Sequence, residues 1–258
     1  MQPAIQTVGL RRVFGALVAV ERLDLEVEPG TFFGFLGPNG AGKSTTIKML
    51  TGLLAPSAGC ARILGRDVVA DAVAAKGSIG VVPEESALFE RLTGPEYLRF
   101  VGRMYGMERP LIDARCDELL GLMGLAGEAS KLIVDFSHGM RKKLSLCAAI
   151  IHEPQVLFLD EPFEGIDAVS SRLVRSILEQ LVASGATIFL TSHILEIVEK
   201  LCSRVAIIHS GRLVAEGPLE DLRRGVGHGE GGRRSLEDLF LSLVGADHPE
   251  RARLSWLE

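Results

Sequence analysis

Residues 32–51 read FFGFLGPNGAGKSTTIKMLT, and they restrict the possible folds more than any other part of the chain. Phe32, Phe33, Phe35 and Leu36 form a short apolar run broken only by Gly34, the pattern of a strand buried on both faces. The run ends in Gly37-Pro38-Asn39-Gly40-Ala41-Gly42, passes through Lys43-Ser44-Thr45, and enters a helix-compatible segment from Thr46 to Leu50. Strand, glycine loop, Lys-Ser and helix, in that order, make a phosphate-binding loop in the context it requires. Glycines let successive N–H groups turn inward toward phosphate oxygens. The following helix adds free N–H groups and the positive end of its dipole. Lys43 is expected to reach the β- and γ-phosphates, and the Ser44 hydroxyl to suit Mg²⁺. Alone, the loop specifies a nucleoside triphosphate and no more, because kinases, GTPases and motors share it.

The remaining segments alternate. Leu23, Leu25 and Val27 interleave with Asp24, Glu26 and Glu28, as in a half-buried strand, and Pro29-Gly30 marks the turn before the buried one. Gly52 is placed to end the first helix, a loop is expected over 53–59, and strands over 60–64 and 78–82. From about Glu85 to Ile151 the periodicity is helical. Thr93 is a candidate cap ahead of Pro95, 111–123 is a second helix, and Ser137 precedes a third. Val156–Leu159, 186–191 and 205–208 read as strands, 170–184 and 194–202 as helices, and His209-Ser210-Gly211-Arg212 as a hairpin turn. Strands alternating with helices predict an α/β fold with a mainly parallel sheet, into which the helical block is inserted. Residues 225–234 are glycine-rich and read as flexible, and Ser235-x-x-Asp238 offers a capping box for a last amphipathic helix.

A 47% hydrophobic content supports a sizeable core in a chain of 258 residues. The net charge of −5 carries no basic footprint for nucleic acid. Four scattered cysteines without a CxxC read as reduced thiols. The chain has neither a signal-like N-terminus nor an apolar run of the length needed to span a bilayer.

Ligands in open α/β sheets bind at the carboxyl ends of parallel strands. Besides the glycine loop, two such ends carry polar groups: Asp160-Glu161-Pro162 after Val156–Leu159, and Ser192-His193 after Ile188–Thr191. Asp160 is a candidate for Mg²⁺ through water, Glu161 for polarising an attacking water, and His193 for a hydrogen bond to a γ-phosphate. Ser137-His138-Gly139 opens a helix, which makes either an ordinary N-cap or a further anion site.

Taken together and in order, these motifs resemble the ATP-binding subunit of an ABC transporter over roughly residues 5–217. GPNGAGKST at 37–45 is similar to the Walker A loop, FSHGM at 136–140 to the signature, VLFLDEP at 156–162 to Walker B with its catalytic glutamate, and Gly165-Ile166-Asp167 to the D-loop. His193 corresponds to the switch histidine, and Phe14 to the aromatic that stacks on adenine. The resemblance implies a P-loop NTPase core (1–85 and 151–217) with an N-terminal antiparallel β subdomain and a helical insertion (86–150), followed by a tail (218–258). It also implies ATP and Mg²⁺, the latter held by Ser44 with Asp160 nearby. Lys43, Glu161 and His193 would serve hydrolysis, and two cassettes would dimerise head to tail so that Ser137 and Gly139 of one face the nucleotide of the other. The partner cassette would be a second copy or a homologue. A separate membrane permease would receive the work, with the chain peripheral on the cytoplasmic face of the membrane, and segments 79–100 and 191–217 are similar to those of bacterial exporters. Two positions depart from the family pattern: Glu84 stands where the Q-loop carries glutamine, and His138 replaces the first signature glycine. The competing readings are a soluble ABC protein acting on ribosomes or DNA, and a low-turnover nucleotide-responsive subunit.

Overall fold

The computed structural model describes residues 2–225 and 235–245; the glycine-rich stretch expected to be flexible lies outside them from 226 to 234. The chain begins with two long strands, β1 (Ile5–Phe14) and β2 (Leu17–Val27), paired antiparallel. The phosphate-loop strand β3 (Phe32–Leu36) and helix α1 (Lys43–Leu50) follow. Next come β4 (Ala58–Ile63), β5 (Arg66–Asp67), α2 (Ala72–Lys76) and β6 (Ile79–Val82). The helical block contains α3 (Gly94–Met104), α4 (Arg109–Leu122) and α5 (His138–Ile150). The chain then alternates through β7 (Val156–Asp160), α6 (Ala168–Ala183), β8 (Thr187–Thr191), α7 (Leu195–Leu201) and β9 (Arg204–His209). It closes with β10 (Arg212–Pro218), α8 (Leu219–Gly225) and α9 (Leu236–Val244).

The strands order as β5-β4-β1-β2-β10-β9-β3-β8-β7-β6. From β9 to β6 every neighbouring pair is parallel, with β3 between β9 and β8. The β1, β2, β4 and β5 end is antiparallel, and β2 meets β10 through a single parallel pairing, Arg212 with Arg22. The α/β fold with an antiparallel N-terminal part is therefore as expected.

The parallel strands are buried on both faces, and their side chains sort by the two-residue period. Phe32, Leu36, Leu157, Leu159, Ile188, Leu190, Val205 and Ile207 face the helical side, where α5, α6 and α7 cover them. Phe33, Phe35, Val156, Phe158, Phe189, Ala206 and Ile208 face α1 and the N-terminal strands. On that second face Phe189 touches three rings, with centroids 5.6 Å from Phe33, 5.2 Å from Phe35 and 5.6 Å from Phe158. Truncating one such fully buried ring costs about 3–5 kcal/mol.

Local signals place the helix ends. Gly52, at φ +66°, closes α1: its N–H and that of Leu53 donate to the Met49 and Lys48 carbonyls, the pairing of a left-handed helix cap. Thr93 and Glu96 form a capping box on α3, and Ser235 and Asp238 form another on α9. Some boundaries shift. Strand β4 starts at Ala58 inside the expected loop because it pairs with β1 up to Arg11. Helix α6 starts at Ala168, ahead of Ser170, because Asp167 caps it. Strand β10 runs on to Pro218 because β9 pairs with it along its whole length.

The helical block and the segment after 218 share one core with the sheet. Leu144, Cys147 and Ile151 of the α5 region belong to the same cluster as Leu157 and Leu190, and Leu219, Leu236 and Leu239 join it. Glu199 on α7 accepts hydrogen bonds from the Arg223 guanidinium (2.5 Å) and the Leu236 N–H (2.6 Å), which fixes α8 and α9 against α7.

Candidate functional site

Strands β3, β8, β7 and β6 end side by side, and a cleft of about 620 Å³ lies over those ends. Its lining includes the phosphate-loop residues Asn39, Gly40, Gly42, Lys43, Ser44 and Thr45, together with Glu84, Asp160 and Glu161, and Phe14, Leu17 and Val18 come from the β1–β2 hairpin. The loop needs glycine for a physical reason at two positions. A Cβ on Gly37 would lie 2.4 Å from the Ile208 carbonyl oxygen, and one on Gly42 2.6 Å from that of Ala19. Gly42 also sits at φ +108°, which disfavours any side chain. Pro38, Ala41 and Lys43 belong to the same turn: the Ala41 N–H donates to Pro38, and the Lys43 ammonium curls over the loop to the Gly37 and Pro38 carbonyls at 2.7 and 3.2 Å.

The acids sit deep. Asp160 is 5% and Glu161 7% exposed. A pleat alone would send neighbouring side chains to opposite faces. Glu161 adopts φ +48°, a left-handed turn that costs a non-glycine residue about 1–3 kcal/mol, and both carboxylates consequently line one cleft. Asp160 Oδ1 accepts the Thr191 hydroxyl. Glu161 Oε2 accepts the His193 backbone N–H at 3.2 Å and the same residue's Nδ1–H at 2.9 Å. Glu84 brings its Oε2 to 3.5 Å from Ser44 Oγ at the mouth of the loop. The oxygens of Ser44, Glu84 and Asp160 are hard donors that match Mg²⁺. Among the described residues no group of three or more His, Cys, Asp or Glu is arranged to enclose a metal.

Phe14 lines the cleft, with the Arg12 guanidinium 4.4 Å from its ring centroid. Ser137, His138 and Gly139 are elsewhere. Ser137 caps α5 by accepting the Met140 N–H, and none of the three lines the cleft. The His138 ring lies on Gly165, where an added Cβ would come within 2.3 Å of His138 Cδ2. Asp167 caps α6 through the Ser170 hydroxyl and N–H, and these two bonds hold its carboxyl below the ordinary value. Sequence reasoning singled out neither Thr191 nor Lys142. Thr191 ends an otherwise apolar strand, a detectable signal. Lys142 is 1% exposed, and no local pattern around it in the sequence signals that burial.

The profile of the ABC transporter family matches residues 20–164. The chain is 41% identical over 224 residues to the daunorubicin/doxorubicin resistance ATP-binding protein DrrA of Streptomyces peucetius, covering 87% of this chain and 68% of that protein. The chain belongs to the ABC transporter ATP-binding family. Further relatives of this ABC subunit are the Nod factor export ATP-binding protein I of Cupriavidus metallidurans (39% identity, 86% and 73% coverage) and the ABC transporter ATP-binding protein NatA of Bacillus subtilis (40%, 79% and 83%). A solved structure of the ATP binding subunit of an ABC transporter superposes with a TM-score of 0.87 at 32% identity, covering 93% of this chain and 99% of the other. An AAA domain profile also matches residues 132–199. As a member of the family this ABC subunit binds ATP and is an ATPase that energises transport. No helix among the described residues is long and apolar enough to cross a membrane.

Proposed function

We propose that this ABC subunit powers export through a permease carried on a separate chain, peripheral on the cytoplasmic face of the membrane, as a head-to-tail pair with a second copy or a homologous subunit. One observation carries the reading. The cleft gathers the phosphate loop, Glu84, Asp160 and Glu161, while Ser137, His138 and Gly139 stand outside it on the N-terminal end of α5. A helix N-terminus capped by serine suits an anion. Head-to-tail pairing gives it one, the γ-phosphate held by the other subunit's Lys43. The names of two relatives, a daunorubicin/doxorubicin resistance ATP-binding protein and a Nod factor export ATP-binding protein, support the outward direction.

Within that pair the residues divide the work. The backbone N–H groups of Asn39, Gly40 and Gly42 to Thr45 and the Lys43 ammonium hold the phosphates. Phe14 offers its ring to adenine. Ser44, with Asp160 nearby, would hold Mg²⁺, which when bound would neutralise charge on the transferred phosphoryl group. Glu161 accepts a proton from the attacking water, and the His193 Nδ1–H, which donates to Glu161 at 2.9 Å without nucleotide, turns to the γ-phosphate when ATP is bound and frees that carboxylate oxygen. Asp167 sits at the paired interface. Catalysis then rests on positioning and charge, as phosphoryl transfer requires.

Glu161→Gln keeps the shape and removes the base. Steady-state hydrolysis is expected to fall by roughly 10²- to 10⁴-fold, with ATP binding retained and an ATP-dependent dimer seen by sedimentation. Wild-type turnover in that variant would refute the base assignment. A tagged chain extracted in detergent should bring down an integral membrane protein; recovery with ribosomes instead would overturn the transporter reading.

A further inference from the structure

Lys142 lies in the second turn of α5, with its side chain withdrawn from solvent. Its ammonium donates to two successive backbone carbonyls, Pro83 at 3.1 Å and Glu84 at 2.6 Å. Those carbonyls open the loop that leaves β6, the loop whose Glu84 carboxylate stands 3.5 Å from Ser44 Oγ. Burying an ammonium carries an effective penalty of several kcal/mol, so it persists only with compensation. Burial does push the Lys142 pKa down, and Glu164, Asp160, Glu84 and Glu161 oppose the shift. Three of these four carboxylates line the nucleotide cleft. Phosphates entering there would add more negative charge beside them, and Lys142 is the buried cation on which those four fields converge. It is also covalently part of the helix that Ser137 caps.

We propose that Lys142 is a positioning residue for the nucleotide site: it ties the Glu84 loop to the Ser137 helix and supplies the fixed positive charge that lets the cleft carboxylates stand beside a triphosphate. The proposal rests on the reading of the cleft as an Mg²⁺–ATP site. Because its contacts are to backbone carbonyls, its action is on loop order first and on Mg²⁺ and ATP second. A methionine fills the same space without a donor or a charge, and exposes both carbonyls to loss of partner. An arginine keeps donors and charge.

The test uses the full chain and two separate readouts. Hydrogen exchange of amides 84–92, measured without nucleotide, is expected to speed up at least tenfold in Lys142→Met. The Mg²⁺ concentration needed for half-maximal binding of a fluorescent ATP analogue is expected to rise at least tenfold. In Lys142→Arg both should return to within about threefold of wild type, an outcome that simple loss of core packing does not predict. If the Met variant does not melt cooperatively, Lys142→Gln takes its place; it retains donors without charge, so loop protection should hold and the Mg²⁺ requirement still rise. Unchanged exchange in the Met variant, or Arg and Met behaving alike, would overturn the proposal. Failure of the wild-type chain to bind the ATP analogue would instead strike the reading of the cleft, with the exchange arm still deciding the positioning role.

Discussion

Gly80→Ala adds one methyl group to β6, and the surroundings fix its cost. The new Cβ would lie 2.1 Å from the Ala149 carbonyl oxygen, 3.0 Å from that residue's carbonyl carbon and 2.8 Å from Leu157 Cδ1. Carbon–oxygen contacts of this kind settle at about 3.3 Å or beyond, so α5 must retreat by roughly 1.2 Å. The obstacle is helix backbone, which has no rotamer to change. Helix α5 buries Leu144, Leu146, Cys147 and Ala148 against the sheet and its neighbours, and all of them lose contact in the retreat. Overpacking costs about 1–3 kcal/mol, and the backbone clash puts this case near 3. For a chain of this size that is a fall of about 6–12 °C in Tm. Thermal and urea melts followed by circular dichroism would measure it. Gly121→Ala is the control: Gly121 lies in α4 with nothing within 4 Å of the added Cβ, so the same substitution there should stabilise by about 0.5–1 kcal/mol. A Gly80→Ala variant within about 0.5 kcal/mol of wild type, the range of a neutral surface change, would refute the close approach of α5 to β6.

Other outcomes follow from the same physics. Burial pushes the Cys116 thiol up to about 11, the Cys147 thiol up to about 12 and the Cys202 thiol higher still, while Cys60 is half-buried. Alkylation of the native protein should therefore mark Cys60 first in a peptide map; early labelling of Cys147 or Cys202 would contradict the packing. Asp24, Asp67, Glu96 and Asp113 are held below their ordinary values, chiefly by backbone N–H donors or, for Asp113, by Arg99, and the stability they contribute is full above about pH 5 and lost as pH falls through their folded values. Half-buried Glu216 is shifted the other way by desolvation and is relieved on protonation, but it stands against those four and against Glu21 and Asp167, which are also held low. The urea midpoint should then drop between pH 7 and pH 3.5, and a rise would refute this balance. Phe14→Ala removes the ring at the side of the cleft and should raise the KM for ATP several-fold with little change in kcat; a selective loss of kcat would move Phe14 out of the adenine position.

Much of the fold was readable because the governing interactions are local. The double-sided burial of Phe32–Leu36, the glycine loop and the caps at Thr93, Ser137 and Ser235 each depend on residues within a few positions of one another. The candidates Lys43, Asp160, Glu161 and His193 stood out in the sequence for the same reason, as polar groups that follow short apolar strands. The early start of β4 was not legible, because β1 recruits Ala58 from a distance.

The sequence by itself therefore determined the parallel core, the phosphate loop and the acids at the strand ends, all from pattern and spacing along the chain. Tertiary structure alone decided which of these groups share a cleft. Only the strand order β3-β8-β7-β6 brings Lys43, Glu161 and Glu84 together, and only the left-handed turn at Glu161 aims its carboxylate beside that of Asp160. Burial of Lys142 against Pro83 and Glu84 spans 59 and 58 positions of sequence, a separation across which no local pattern carries information. The same geometry leaves Ser137 outside the cleft, because α5 lies along the helical face of the sheet rather than over the strand ends.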